Sequence, residues 1–355
     1  MKTVRILETK DFRQWDLFVQ NHPHGSIYHL SGWKQALETG FTHIKGIFLV
    51  VWDYESNKIT AGLPIYCVKS FITGNRLVSI PLAYQATPLV SNIDEMKMLS
   101  AELFDLFKHE RASYIEIKSL VPLLECENLG YGLSNFFIHH YLLLDREPEL
   151  LKKDFHKKSV QVPISRALKN GLQLKVGNNE SELSIFFDIF LKSRKSLGLP
   201  VFPYAFFKTL LAVFGSSNNL TILLAMFEDE AVGAALLLKF QGTVTVEYGF
   251  DIRKYRKLFV NHFLDWESIK LAYNEGYKEI TFGRTSSDNE GLLRYKQNWG
   301  TKSEKLPTYY FPERFCSIGA EKGASVKYNL TRTILKYSPI PVFSLLSNFI
   351  IKHIG

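Results

Sequence analysis

The chain has 355 residues, enough for two domains of ordinary size. Apolar residues make up 46% and charged residues 22%, which excludes a disordered or collagen-like chain. The net charge of +8 favours anionic partners such as phosphates, nucleic acid or a membrane surface, without choosing among them.

Cys67, Cys126 and Cys316 are scattered and none has metal-ligand spacing. Buried, inert thiols in a reduced compartment and no metal site are the expectation. The start, Met1-Lys2-Thr3-Val4-Arg5, lacks the apolar run of a signal peptide. No stretch offers the roughly 18 uninterrupted apolar residues of a spanning helix. A cytoplasmic protein is expected, at most peripheral on the inner membrane face.

In chain order, Asp11 can cap a helix to about His22, and Ser31 a second over Gly32–Thr39, closed by Gly40. Strands Ile47–Tyr54 and Thr60–Val68 follow, joined by Glu55-Ser56-Asn57-Lys58. Asp94–Glu110 reads as an amphipathic helix, Ile115–Ile117 and Tyr141–Leu144 as strands. From Glu147 to Lys169 the composition changes: Lys152, Lys153, Lys157, Lys158, Arg166 and Lys169 gather around Asp154, which marks a connection between domains and the entry helix of the second. Asn179 and Glu182 form a capping box for a helix ending at Gly198, and Tyr204–Phe214 is a further helix. Strands Leu220–Phe227 and Ala231–Phe240 flank the acidic turn Glu228-Asp229-Glu230. Strand Thr243–Phe250, helix Asn261 to about Asn274, strand Glu279–Phe282 and a short helix Leu292–Trp299 complete the second half.

The halves echo each other. Val50-Val51-Trp52-Asp53…Ala61-Gly62-Leu63-Pro64-Ile65 parallels Ala225-Met226-Phe227-Glu228…Val232-Gly233-Ala234-Ala235-Leu236. A duplicated α/β unit is expected.

Helix, helix, hairpin, strand, helix, strand is the element order of GNAT acyltransferases. The second half also carries Arg166-Ala167-Leu168-Lys169-Asn170-Gly171-Leu172, Gly198-Leu199-Pro200, Phe206-Phe207, Tyr248 and Phe282-Gly283-Arg284…Gly291…Tyr295-Lys296-Gln297-Asn298-Trp299-Gly300. Together these resemble the Fem family of peptidoglycan-bridge aminoacyltransferases, closest to its branch found with exopolysaccharide export systems. The resemblance spans Phe12 to Tyr310 and is strongest from Arg166 onward. It implies a mixed-sheet α/β fold of two tandem GNAT-like domains, at 1–150 and 151–315, followed by a basic amphipathic helical tail at 316–355. It implies transfer of an aminoacyl or acyl group to an amino group of a cell-envelope precursor, peptidoglycan or exopolysaccharide. The family's long helical hairpin is missing, and Val201-Phe202-Pro203 stands where some members place a phosphate-binding basic residue.

Acyl transfer to an amine needs a reachable acyl carbon and donors for the developing oxyanion. No G-x-S-x-G elbow is present, and an activated ester needs none. The catalytic candidates are Lys296, as oxyanion or phosphate holder, Arg284, as a phosphate or carboxylate fork after Gly283, and Glu247, as a general base through water. Replacing Lys296 by alanine is expected to abolish transfer and leave stability nearly unchanged. Thr243, Thr245 and Glu247 are read onto one strand face, Val244, Val246 and Tyr248 onto the other. Tyr248, Thr285 and Tyr295 are substrate-binding candidates, with packing or capping as their plainer roles. Arg166 and Lys169 are further cationic candidates. Arg253, Lys254, Arg256, Lys257 and the helix start at Asn261 form an anion cradle or a solvated basic loop. This turn has no glycine, which disfavours acyl-CoA. No bound cofactor is expected. The donor is aminoacyl-tRNA, acyl-CoA or acyl carrier protein, and the acceptor an anionic envelope or lipid-linked precursor. A GNAT enzyme acting on a small amine and a non-catalytic polyanion- or lipid-binding protein are the alternatives.

From Lys322 to Gly355 there are five Lys or Arg and no acid. Val326, Leu330, Ile334 and Tyr337 share a helical face, as do Phe343, Leu346, Phe349 and Ile350 after Pro339 and Pro341. Such a tail suits an anionic membrane surface, or packs on the catalytic domain.

Overall fold

The computed structural model describes residues 1–123, 126–317 and 326–353, with side chains at all of these except 326–329. The chain divides into two compact units. Unit 1 comprises Met1–Phe136, Leu306–Tyr328 and Phe349–Gly355; unit 2 comprises Phe137–Lys305 and Asn329–Asn348.

Unit 1 runs β1 (Lys2–Ile6), α1 (Phe12–Asn21), α2 (Ser31–Gly40), β2 (Ile44–Asp53), β3 (Lys58–Val68), β4 (Arg76–Val78), α3 (Ile93–His109) and β5 (Tyr114–Lys118). The strands lie in that order and pair antiparallel, except β4 with β5, which is parallel. Leu49, Val51, Leu63 and Ile65 pack with Met96, Leu99 and Leu103 of α3.

Unit 2 takes up the chain within β6 (Gly132–Leu143) and continues with α4 (Pro148–Leu151), α5 (Val162–Lys169), β7 (Gln173–Gly177), α6 (Glu180–Leu197) and α7 (Tyr204–Phe214). Then come β8 (Leu220–Phe227), β9 (Glu230–Phe240), β10 (Thr243–Asp251), α8 (Val260–Asn274), β11 (Glu279–Ser286) and α9 (Glu290–Gln297). Its sheet order is β6-β11-β10-β9-β8-β7. Leu223, Ala225, Ala235 and Leu237 point to a core shared with Ile164 of α5 and Phe263, Trp266 and Ile269 of α8. Phe186 and Phe190 of α6 and Phe206 and Phe207 of α7 are buried in a second, aromatic cluster. Each contributes about 1.5–3 kcal/mol of burial, offset by conformational entropy.

Local chemistry sets the connections. Glu228 and Asp229, both at positive φ, close β8 onto β9 in the twist-matching manner of a two-residue hairpin. Asn179 caps α6 by accepting from the Ser181 and Glu182 amides. The residue preceding α2 is Leu30, not Ser31, whose hydroxyl instead donates to Asp16 at 2.6 Å.

The expected duplication is present. β7-α6-α7-β8-β9-β10-α8-β11 repeats β1-α1-α2-β2-β3-β4-α3-β5. The two glycines of the echo hold matching positions, Gly62 opposite Val50 and Gly233 opposite Ala225.

The expected boundaries at residues 150 and 315 are not those of the structure. β12 (Lys302–Phe311) leaves unit 2 and pairs antiparallel with β5, Thr308–Phe311 against Lys118–Ile115, which draws Leu306 onward into unit 1. The tail is likewise divided. Its helices Val326–Tyr337 and Ile340–Ile351 bury Leu335, Phe343 and Ile351. The reading of Val326 as part of an apolar face lies outside the described side chains. Cys67 and Cys126 are buried as expected, while Cys316 is half-buried. No helix among the described residues is long and apolar enough to cross a membrane.

Gly62 admits the Trp15 ring, since a Cβ there would lie 2.2 Å from it. Trp15 is fully buried and cannot retreat. Gly62→Val is therefore expected to destabilise unit 1 by about 1–3 kcal/mol in urea unfolding.

Candidate functional site

β10 and β11 pair in parallel over three residues only, Thr243–Thr245 against Glu279–Thr281. Past that ladder β10 stays with β9 as far as Asp251, and β11 stays with β6 as far as Ser286. Each strand is irregular where they part. The β10–β9 register shifts between Val246 and Tyr248, so Glu247 is the extra residue of a bulge. The β11–β6 register shifts between Thr281 and Arg284, around Gly283 at φ +64°. Main-chain groups freed there need other partners.

Lys296 of α9 supplies them. Its buried ammonium donates to the carbonyls of Phe282 at 2.6 Å, Arg284 at 3.2 Å and Gly283 at 3.4 Å. An ammonium has three donors, so all are directed to the β11 backbone. Burial lowers the Lys296 pKa to about 8, opposed by the nearby Asp265 carboxylate. The group therefore keeps its charge at neutral pH.

Asp265 of α8 accepts from the Tyr295 hydroxyl at 2.5 Å. Burial raises the Asp265 pKa to about 6, against the Tyr295 hydrogen bond and the Lys296 charge. Beside this chain lie two histidines of β6. The Nε2 of His139 is 2.7 Å from the Thr281 hydroxyl, which itself donates to the His140 carbonyl at 3.1 Å. The Thr281 proton is thus used, and His139 is the donor, neutral and protonated on Nε2. Burial lowers both histidines to about 4. The His140 ring nitrogens and the Thr285 hydroxyl are buried without a hydrogen-bond partner among the described residues.

The sequence-predicted residues fall into three groups. Lys296, Tyr295, Arg284 and Thr285 come together around the β11 bulge. Arg284 does not follow the strand in a loop: β11 continues past Gly283, and the guanidinium stacks 4.2 Å above the Phe137 ring. Glu247 and Tyr248 form the β10 bulge, which reverses the expected alternation. Val246 packs on the α5–α8 core, whereas Tyr248 turns to Phe186, Phe190, Phe202, Phe207 and Phe250. Its hydroxyl is buried there with no partner among the described residues.

The basic segment Arg253–Leu258 is a 3-10 turn before α8, with Phe259 at φ +61° in the capping position. Two of its cations are neutralised. Arg256 binds Asp251 at 3.1 Å, and Lys254 pairs with Glu230 at 3.5 Å. Arg253, Lys257 and Asn261 are exposed. Arg166 and Lys169 are also exposed, in the last turn of α5, whose Ile164 and Ala167 face the core.

Sequence reasoning missed Asp265 and the His139-His140 pair. The signal was present in Phe136-Phe137-Ile138-His139-His140-Tyr141, an aromatic and β-branched run that extends the predicted strand upstream.

Residues 157–297 match the Acetyltransferase (GNAT) domain family. Most of the chain shares its fold with solved structures of low sequence identity. FemX has a TM-score of 0.69 at 14% identity, covering 90% of this chain and 99% of that one. A tandem GNAT protein from the clavulanic acid biosynthesis pathway has a TM-score of 0.56 at 11% identity, covering 87% and 98%. The chain is a tandem GNAT-fold protein. A stretch of 97 residues is 33% identical to the lipid II:glycine glycyltransferase of Staphylococcus haemolyticus (strain JCSC1435). That match spans 25% of this chain and 23% of the relative's length.

The three carbonyl contacts mean that Lys296 cannot be removed without a structural cost, contrary to the expectation from sequence. Lys296→Met is expected to lower stability by about 2 kcal/mol in urea unfolding, because buried carbonyls lose their donor. Asp265 gives a pH signature. Its folded pKa lies above its unfolded value, so its relative contribution is fully present at about pH 4 and is lost as pH rises through about 6. Asp265→Asn is expected to flatten that part of the stability–pH curve, by about 1–3 kcal/mol between its ends.

Proposed function

We propose that the chain is an aminoacyltransferase that moves an aminoacyl group from a tRNA ester onto an amino group of a peptidoglycan precursor or a related envelope precursor. The observation that carries this reading is the parting of β10 and β11 above a three-residue parallel ladder, with a bulge in each strand. A gap of this kind admits an extended acyl donor between the strands and presents main-chain groups to its carbonyl. The acetyltransferase domain match and the likeness to the glycyltransferase support the same reaction class.

In this reading the acceptor nitrogen attacks the ester carbonyl, the tetrahedral oxyanion collapses, and the ribose hydroxyl leaves with a proton. The bulge at Glu247 supplies main-chain polarity toward the oxyanion. The buried Lys296 charge lowers the energy of negative charge nearby through its field, while its protons hold β11. Arg284 and Glu247 border the same gap, and Tyr248 shapes the aromatic wall.

The tRNA donor is favoured by the turn before α8. Close approach of a pyrophosphate to backbone is what glycine permits, and here Phe259 occupies the capping position. The exposed Arg253 and Lys257 suit a larger polyanion. The acceptor is read as lipid-linked and met at the inner membrane face, with an exopolysaccharide precursor as the alternative to peptidoglycan.

The test supplies the purified protein with radiolabelled aminoacyl-tRNAs or acetyl-CoA, and with lipid-linked or nucleotide-linked muropeptide. Label is expected to pass from aminoacyl-tRNA to the muropeptide amine. Transfer from acetyl-CoA alone reassigns the donor, and no transfer from either removes the proposal.

A further inference from the structure

We propose that the exposed apolar face of the two C-terminal helices is a docking surface for an anionic lipid bilayer. The idea rests on the reading above for its purpose, presentation of a lipid-linked acceptor, but its physical basis is independent.

Each helix carries two apolar faces. One is spent on packing, with Leu335, Phe343 and Ile351 buried. The other is open. On Val326–Tyr337, Leu330, Ile334 and Tyr337 recur at i, i+4 and i+7 and are 61%, 50% and 74% exposed. On Ile340–Ile351, Val342, Leu345 and Phe349 recur at i, i+3 and i+7, and Leu345 is 71% exposed. Packing on the fold accounts for the first face and leaves the second unexplained.

Charge selects the occupant. Ile340–Ile351 contains no charged residue, while the segment Lys322–Gly355 around it has five Lys or Arg and no acid. A second copy of the same face would set cations against cations. An anionic headgroup layer neutralises them while the apolar side chains enter the acyl boundary. Tyr337 has the amphipathic ring favoured at that depth. A helix of 12 residues is about 18 Å long, too short to span, so it lies in the surface.

The test is co-sedimentation of the full chain with vesicles of phosphatidylcholine, with or without phosphatidylglycerol as a third of the lipid. Binding to the anionic vesicles is expected, about tenfold weaker without the anionic lipid and weakened by salt. Ile334→Glu with Leu345→Glu is expected to cut anionic-vesicle binding about tenfold or more, with an unchanged melting temperature, because both side chains are exposed. Absence of binding to anionic vesicles, or binding indifferent to the two substitutions, overturns the proposal. So does light scattering that shows a dimer dispersed by those substitutions without vesicle binding. Vesicle binding without any aminoacyl transfer supports the docking surface and removes only the catalytic reading.

Discussion

Where two parallel strands part, their facing main-chain groups lose their ladder and must find other partners. In unit 2 the Lys296 ammonium meets this need by donating to three consecutive carbonyls of β11. The arrangement propagates outward. A buried cation needs a counter-charge, which Asp265 of α8 supplies, and a buried carboxylate needs a donor, which Tyr295 supplies. One short helix, α9, thus carries both the ammonium and the phenol, and ties α8 to the open edge of β11. The parted backbone of β11 is held in place by that ammonium.

Unit 1 meets the same geometric problem with different residues. β4 and β5 also pair in parallel over three residues, Arg76–Val78 against Tyr114–Glu116. Buried Lys118 then donates to the carbonyls of Ile80 at 2.7 Å and Ala83 at 3.3 Å, with Glu116 at 3.6 Å as its counter-ion. The lysine lies on the strand itself in unit 1 and on a following helix in unit 2. Duplication preserved the strand order and the glycines of the hairpin, and each half found its own way of satisfying the parted backbone.

The distribution of cations separates structural from solvent-facing charge. Lys296, Lys118 and Lys239 are buried and bonded to backbone or to acids. Arg256 and Lys254, read from sequence as part of one anion cradle, are drawn into pairs with Asp251 and Glu230. Arg253 and Lys257 remain at the surface, as do the cations of α5. Net charge alone could not make this division.

Much of the fold was legible in the chain itself. Tyr204–Phe214 and Leu220–Phe227 carry the limits read from periodicity, and Asn179 and the positive-φ pair Glu228-Asp229 close their elements as local chemistry requires. These features depend on neighbours within a few residues. β1, β4, β7 and β12 were not legible, because short strands are defined by distant partners, as in Lys2–Ile6 against Leu49–Asp53. The division of the chain was missed for the same reason: β12 belongs to unit 1 through its pairing with β5. At the site, the sequence singled out Lys296, Tyr295, Arg284, Thr285 and Tyr248 but not Asp265 or the His139-His140 pair. A single extra residue at Glu247 turned Tyr248 to the opposite face, and a bulge around Gly283 gave Lys296 its three acceptors. Residue identity and local periodicity determined which elements form and which side chains carry chemistry. Where those side chains point was decided by strand register, which is a property of pairing between segments far apart in the chain.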